Sequence, residues 1–199
     1  ASGKEPIGSM GDTARPAIFS DQPRPLYDFF FQDFAQVTNP PLDYLREVMV
    51  TDLGTELGPR PNIFAPQELI PPAPALRLSD PVVRLPEMEV LRALCLRRPS
   101  PLRTPAAELR AVYDRARGAS GLRSALEELG ERALAAVRDG CSLLIVSDRE
   151  ADFDHPPVPS LLALRAVVTM LNRHGLRLQT SILVEAGDIR STHALACAI

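Results

Sequence analysis

The chain has 199 residues, 45% of them hydrophobic, with 22 Lys and Arg against 25 Asp and Glu, an ordinary globular profile. A net charge of -3 lacks the long-range attraction for phosphate on which nucleic-acid binders depend, so DNA and RNA are not expected partners. No apolar run approaches the roughly 20 residues needed to span a bilayer, no charged-then-apolar leader opens the chain, and Cys95, Cys141 and Cys197 are too scattered for a disulfide framework or zinc site. The expected setting is soluble and cytoplasmic.

Proline reaches 20 residues, about double its usual share, and seventeen of them precede residue 106. Residues 1–105 therefore read as a proline-rich helical and extended part, and residues 106–199 as a βα-repeat part of the same domain. In the first part, Leu26, Phe29 (or Phe30), Phe34 and Val37 recur at helical spacing and predict a helix over 26–37, stopped by Asn39-Pro40-Pro41. A second helix is predicted from Asp43 to Leu53, ending at Gly54. The proline-dense stretch 58–86 reads as an extended wrap or linker. A short helix follows over Glu87–Leu96.

In the second part, Leu109–Tyr113 reads equally well as strand or helix. Ser120 is the expected cap of a helix that Gly140 stops. Leu143–Val146 is a continuous apolar run, expected to be a strand buried on both faces. A loop from Ser147 to Pro159 leads to a helix from Ser160 to His174-Gly175. Leu178–Val184 then reads as a strand, with Asp188 as the cap of a last helix. Helix and strand alternating over short links predict an α/β fold with a parallel sheet and right-handed crossovers, the proline-rich part packed on it. Ile199 lies inside the apolar stretch Ala194–Ile199 and Ala1 is no methionine, so the ends read as cut from a longer chain; the isolated piece is expected to expose an apolar face and associate.

In such a sheet, ligands gather at the strand carboxyl ends, here Ser147–Glu150 and Glu185–Asp188. Asp148, Asp152, Asp154 and His155 share one loop and can be drawn as an oxygen-rich metal site or, more plainly, as a solvated acidic loop. The three histidines are far apart, and Cys141 enters a strand, which suits an inert buried thiol. Gly3, Gly8 and Gly11 match no phosphate-binding loop. The residues by themselves assemble no catalytic constellation.

The segment Gly3–Gly11 (GKEPIGSMG) resembles part of the large (alpha) subunit of glutamate synthase. So do Phe34–Asp43 (FAQVTNPPLD) with Arg46-Glu47, the set Asp139-Gly140, Ser147-Asp148-Arg149 and Pro159–Ala163, and Gly175-Leu176-Arg177 with Ser181–Glu185. The resemblance is to the central domain of that enzyme family. It implies a parent that moves the amide nitrogen of glutamine reductively to 2-oxoglutarate. FMN and an iron–sulfur cluster belong to other domains of that parent, and this piece holds no cofactor, no metal and no catalytic residue. Implied partners are the amidotransferase and FMN-binding domains of the same chain, with a reductase subunit or ferredoxin as electron source.

By the same resemblance the central domain helps wall an internal ammonia tunnel. Thr38 and Asn39, backed by two stiff prolines, and the turn Ser9-Met10-Gly11 are the expected tunnel or interdomain residues. The chain departs from the family where Thr13 and Arg15 stand in place of an acid and a proline, at Val168-Thr169-Met170 in place of a histidine-rich stretch, and at Glu150 and Ala194. Three readings stay open: the connecting domain of a glutamate synthase, a non-catalytic interaction or scaffold piece, and a small α/β enzyme binding an anion at the strand ends.

Overall fold

The computed structural model describes residues 16–30, 43–61, 64, 76–96 and 104–199. In the first part, α1 spans Tyr44–Val50, capped by the Asp43 carboxylate on the N–H groups of Leu45 and Arg46. Strands β1 (Thr55–Leu57) and β2 (Leu76–Leu78) pair antiparallel, and α2 follows over Leu85–Cys95. The second part runs β3 (Ala106–Arg110), α3 (Gly118–Arg138), β4 (Leu143–Ser147), α4 (Ser160–Arg173), β5 (Ser181–Glu185) and α5 (Thr192–Ala198).

Strands β3, β4 and β5 form a parallel sheet in that order, Ala106 lying beside Leu143 and Leu143 beside Ser181. All five residues of the central strand β4 are buried, because helices cover both of its faces. Alternation along β4 sends Leu144 and Val146 into a core with Leu129, Ala133 and Val137 of α3 and Ala163, Val167 and Leu171 of α4. Leu143 and Ile145 point the other way, to Leu57, Met88, Leu91 and Cys95. The second core joins residues from either side of position 105, so the proline-rich part is packed on the α/β part as expected.

Several local expectations change. Leu26–Phe29 makes only one 3-10 turn, and Phe30 is extended (φ -105°, ψ 126°), so the helix predicted over 26–37 does not pass Phe29. Tyr27 turns inward there, off the predicted stripe, because its hydroxyl finds a buried partner in Ser160. The rest of that segment, 31–37, lies outside the described residues. Stretch 58–86 is not wholly linker, since its residues 76–78 pair with β1. Helix α3 begins two residues before Ser120, whose hydroxyl donates to the Arg117 carbonyl at 2.8 Å and so does not cap it. The last strand starts at Ser181, Arg177–Gln179 forming a 3-10 turn in which Leu178 is exposed. Helix α5 is capped by Ser191, with Asp188 serving elsewhere.

Gly140 (φ 89°) and Gly175 (φ 69°) occupy the left-handed turns that end α3 and α4, where other residues are strained. Gly121 has a different reason. A Cβ there would overlap the backbone carbonyl oxygen of Asp114, which cannot swing away as a side chain could. Although alanine gains roughly 1 kcal/mol of helix propensity over glycine, Gly121→Ala is expected to destabilise by about 1–2 kcal/mol net, the overlap prevailing. Urea denaturation checks the sign; a stabilised variant would show that the α3 entry moves freely.

Candidate functional site

The strand carboxyl ends come together as predicted, and the protein's own side chains fill them. Glu185, at the end of β5, takes both ends of a fork from Arg92 of α2: Nη2 to Oε2 at 2.5 Å and Nη1 to Oε1 at 3.2 Å. The Ser147 hydroxyl donates to Glu185 Oε2 at 2.6 Å, and Arg149 Nη2 stands 3.2 Å from Oε1. Arg92 also donates to Glu108 of β3, at 2.7 Å from Nη2, while Arg149 donates to Glu89 at 2.6 Å. Arg92 and Glu185 are 11% and 16% exposed, so the pair operates with little water around it. The hydrogen bonds from Arg92 hold the Glu185 carboxyl below the usual carboxylate range, and those from Glu185 first hold the guanidinium above its own. Chemically, this centre clamps α2 to all three strands through charge-assisted, bidentate bonds.

Arg92 was not among the sequence candidates. An arginine on an amphipathic helix normally faces solvent, and its partners lie 16 and 93 residues away. The available signal was Glu185 itself, a carboxylate closing an apolar strand and needing a cation.

The acidic loop does not converge. Asp148 Oδ2 accepts from the Gly187 N–H at 2.7 Å, and Asp152 Oδ1 accepts from the N–H groups of Asp154 and His155. These bonds, the His155 N–H first, keep the Asp152 carboxyl below its usual range. Among the described residues no three His, Cys, Asp or Glu side chains approach closely enough to hold a metal.

A second polar centre lies at the start of α4. Asp188 Oδ2 accepts from the Ser160 N–H at 3.0 Å, so this carboxylate caps α4 rather than α5. Its other oxygen, Oδ1, is buried without a hydrogen-bond partner among the described residues. The Tyr27 hydroxyl meets Ser160 Oγ at 2.6 Å, and burial pushes its phenol up. His193 Nε2 lies 3.0 Å from the Tyr27 carbonyl oxygen and 3.7 Å from Cys197 Sγ. The nitrogen that donates to the carbonyl cannot at the same time accept the thiol proton, so this contact supplies no general base for Cys197. The cluster pins the Leu26–Phe29 turn to α4 and α5. Tyr27→Phe is expected to lower stability by about 1 kcal/mol, read as a lower denaturant midpoint at unchanged m value.

Cys95 and Cys141 are buried in the opposite cores, and burial raises the Cys95 thiol; Cys197 sits on α5. Their dispersal does not fit an iron–sulfur cluster within the described residues. Ser9, Met10, Gly11, Thr38 and Asn39 lie outside the described residues. Among the described residues no helix is long and apolar enough to cross a membrane.

The family described as "Glutamate synthase central domain" matches residues 1–199. Ferredoxin-dependent glutamate synthase 2 of Synechocystis is 38% identical over 99% of this chain, and the spinach chloroplastic ferredoxin-dependent glutamate synthase 40% identical over 99%. The glutamate synthase [NADPH] large chain of Bacillus subtilis is 36% identical, again over 99%. In each case the chain spans 12% of the relative's length.

Proposed function

Because the chain belongs to the glutamate synthase central domain family, we propose that it is the connecting domain of a glutamate synthase large chain, joining the glutamine amidotransferase and FMN-binding domains and helping to wall the path of ammonia between them. The observation that carries this reading is the match of the whole chain, 1–199, to one family whose similar members bear the same enzyme name. In the proposed parent, glutamine's amide nitrogen reaches 2-oxoglutarate and is reduced into glutamate with electrons carried by FMN and an iron–sulfur cluster held elsewhere in the chain. Electrons enter from ferredoxin or from a nicotinamide-dependent reductase subunit, since relatives named for each are similar to this chain. The compartment we propose is the cytoplasm, and the two parts divided near residue 105 act as one domain.

The ion-pair centre supports a structural role, because its charged groups are spent on one another and leave α2 fixed to the sheet. Helix α1 supports an interdomain one. It buries none of its residues and exposes Tyr44, Leu45, Val48 and Met49, an apolar surface of the kind that meets another protein surface. Thr38, Asn39 and the Ser9-Met10-Gly11 turn are the proposed passage residues.

The experiment is a blockade in the full-length enzyme. Thr38→Trp is expected to lower glutamine-dependent glutamate formation severalfold while glutamine hydrolysis continues and ammonia appears in solution. Thr38→Ser should behave as the parent. Equal rates of hydrolysis and synthesis in Thr38→Trp would remove Thr38 from the passage. A parent chain without glutamine-dependent oxidation of any reductant would remove the function as a whole.

A further inference from the structure

Among the described residues, strand β5 is the edge of the parallel sheet, with β4 as its strand partner on one side. The Ser181 N–H reaches the Ser142 carbonyl and the Glu185 carbonyl receives the Asp148 N–H, so by alternation Ile182 and Val184 turn their N–H and C=O groups away from β4. A cavity of about 600 Å³ lies along that side. Ile182, Leu183 and Val184 all line it although neighbouring side chains point to opposite faces; only a space at the strand's edge meets both. One wall is Met88 and Val82 from the α2 side, and the other is Leu164 of α4 and Leu195 of α5. The layers on the two faces thus extend past β5, Leu57 and Leu78 of the β1–β2 pair joining the α2 side, and leave a slot between them.

The geometry points to a fourth strand, parallel to β5, supplied by a segment of the same polypeptide outside residues 1–199. Three observations select this occupant. Each crossover, β3 to β4 and β4 to β5, advances the sheet by one place in the same direction, and an edge flanked by helices on both faces suits another buried parallel strand. The chain covers only 12% of its relatives, so most of such a polypeptide lies outside it. At the amino end of β5, Arg177 lines the slot and donates to the Thr180 carbonyl at 2.9 Å, and no carboxylate among the described residues offsets its charge. Burial and then the nearby Arg60 charge disfavour its charged form. The incoming strand accordingly carries apolar residues for both walls and an acidic residue near its own amino end, opposite Arg177.

The inference rests on the chain being a domain of a larger protein, not on ammonia transfer, and its test needs no activity. Amide exchange is measured with residue resolution in the full-length protein, and a benzophenone amino acid is placed at Ala186, which lines the slot just after β5, for photocrosslinking. The Val184 amide is expected to exchange at least about 100-fold more slowly than an unprotected amide at every protein concentration. The crosslink is expected to fall on the same polypeptide outside these residues. Solvent-rate exchange at Val184 beside a protected Leu183 would show an open edge and overturn the proposal. A crosslink within residues 1–199, or to a second molecule with protection lost on dilution, would overturn it equally.

Discussion

Arg92→Leu is expected to cost about 3 kcal/mol of stability, the scale for removing one partner of a desolvated pair. The substitution leaves Glu185 with Ser147 and Arg149 alone, in a position where its carboxylate is only 16% exposed. It also frees Glu108 from its guanidinium partner and detaches α2 from the sheet's carboxyl end. Its pH dependence has a definite sign. The Glu185 carboxyl titrates below its ordinary value of 4.5 when folded, so the stability it contributes is complete above that value and is lost as pH falls through the lower folded value. The gap between parent and Arg92→Leu should narrow below about pH 4.5 and stay wide at neutral pH. Urea titrations at a series of pH values check this, with Glu185→Gln closing a double-mutant cycle. A gap constant with pH, or additive single effects, would mean that the two side chains are neighbours without being coupled.

Leu144→Ala should be costlier still, about 3–4 kcal/mol, since Leu144 is fully buried between α3 and α4 on the central strand and its neighbours are rigidly placed. For a chain of this length that corresponds to a fall of roughly 10 °C in melting temperature. Differential scanning fluorimetry gives the shift, and a fall of only a degree or two would mean that the two helices close over the void.

What the sequence made legible follows from the range of the forces involved. The expected β4, α4 and most of α3 rest on periodic apolar patterns with glycine stops, which are local properties, and they agree with the structure. Strand β3 stayed ambiguous because its charged neighbours, Glu108 and Arg110, suit the outer face of a helix as readily as that of a half-buried strand, and the partner of Glu108, Arg92, comes from a remote helix. The β1–β2 pair was missed because two three-residue strands separated by a proline-rich excursion carry no repeating pattern. Asp188 looked like a cap for the helix just ahead of it, and instead caps one 28 residues earlier. The strand ends were located correctly, yet their occupant, Arg92, comes from a remote helix. Long-range charge pairing leaves no trace in spacing.

The core shared by the two parts also sets a schedule for biosynthesis. Leu57, Met88, Leu91 and Cys95 leave the ribosome well before Leu143, Ile145 and Leu183, the residues that cover them. At ~5–20 residues per second the wait from Cys95 to Leu183 is roughly 4–18 s. During that interval the nascent proline-rich segment displays its apolar side chains uncovered, which makes it a natural client for ribosome-associated chaperones and the stage at which misassembly of the protein would begin.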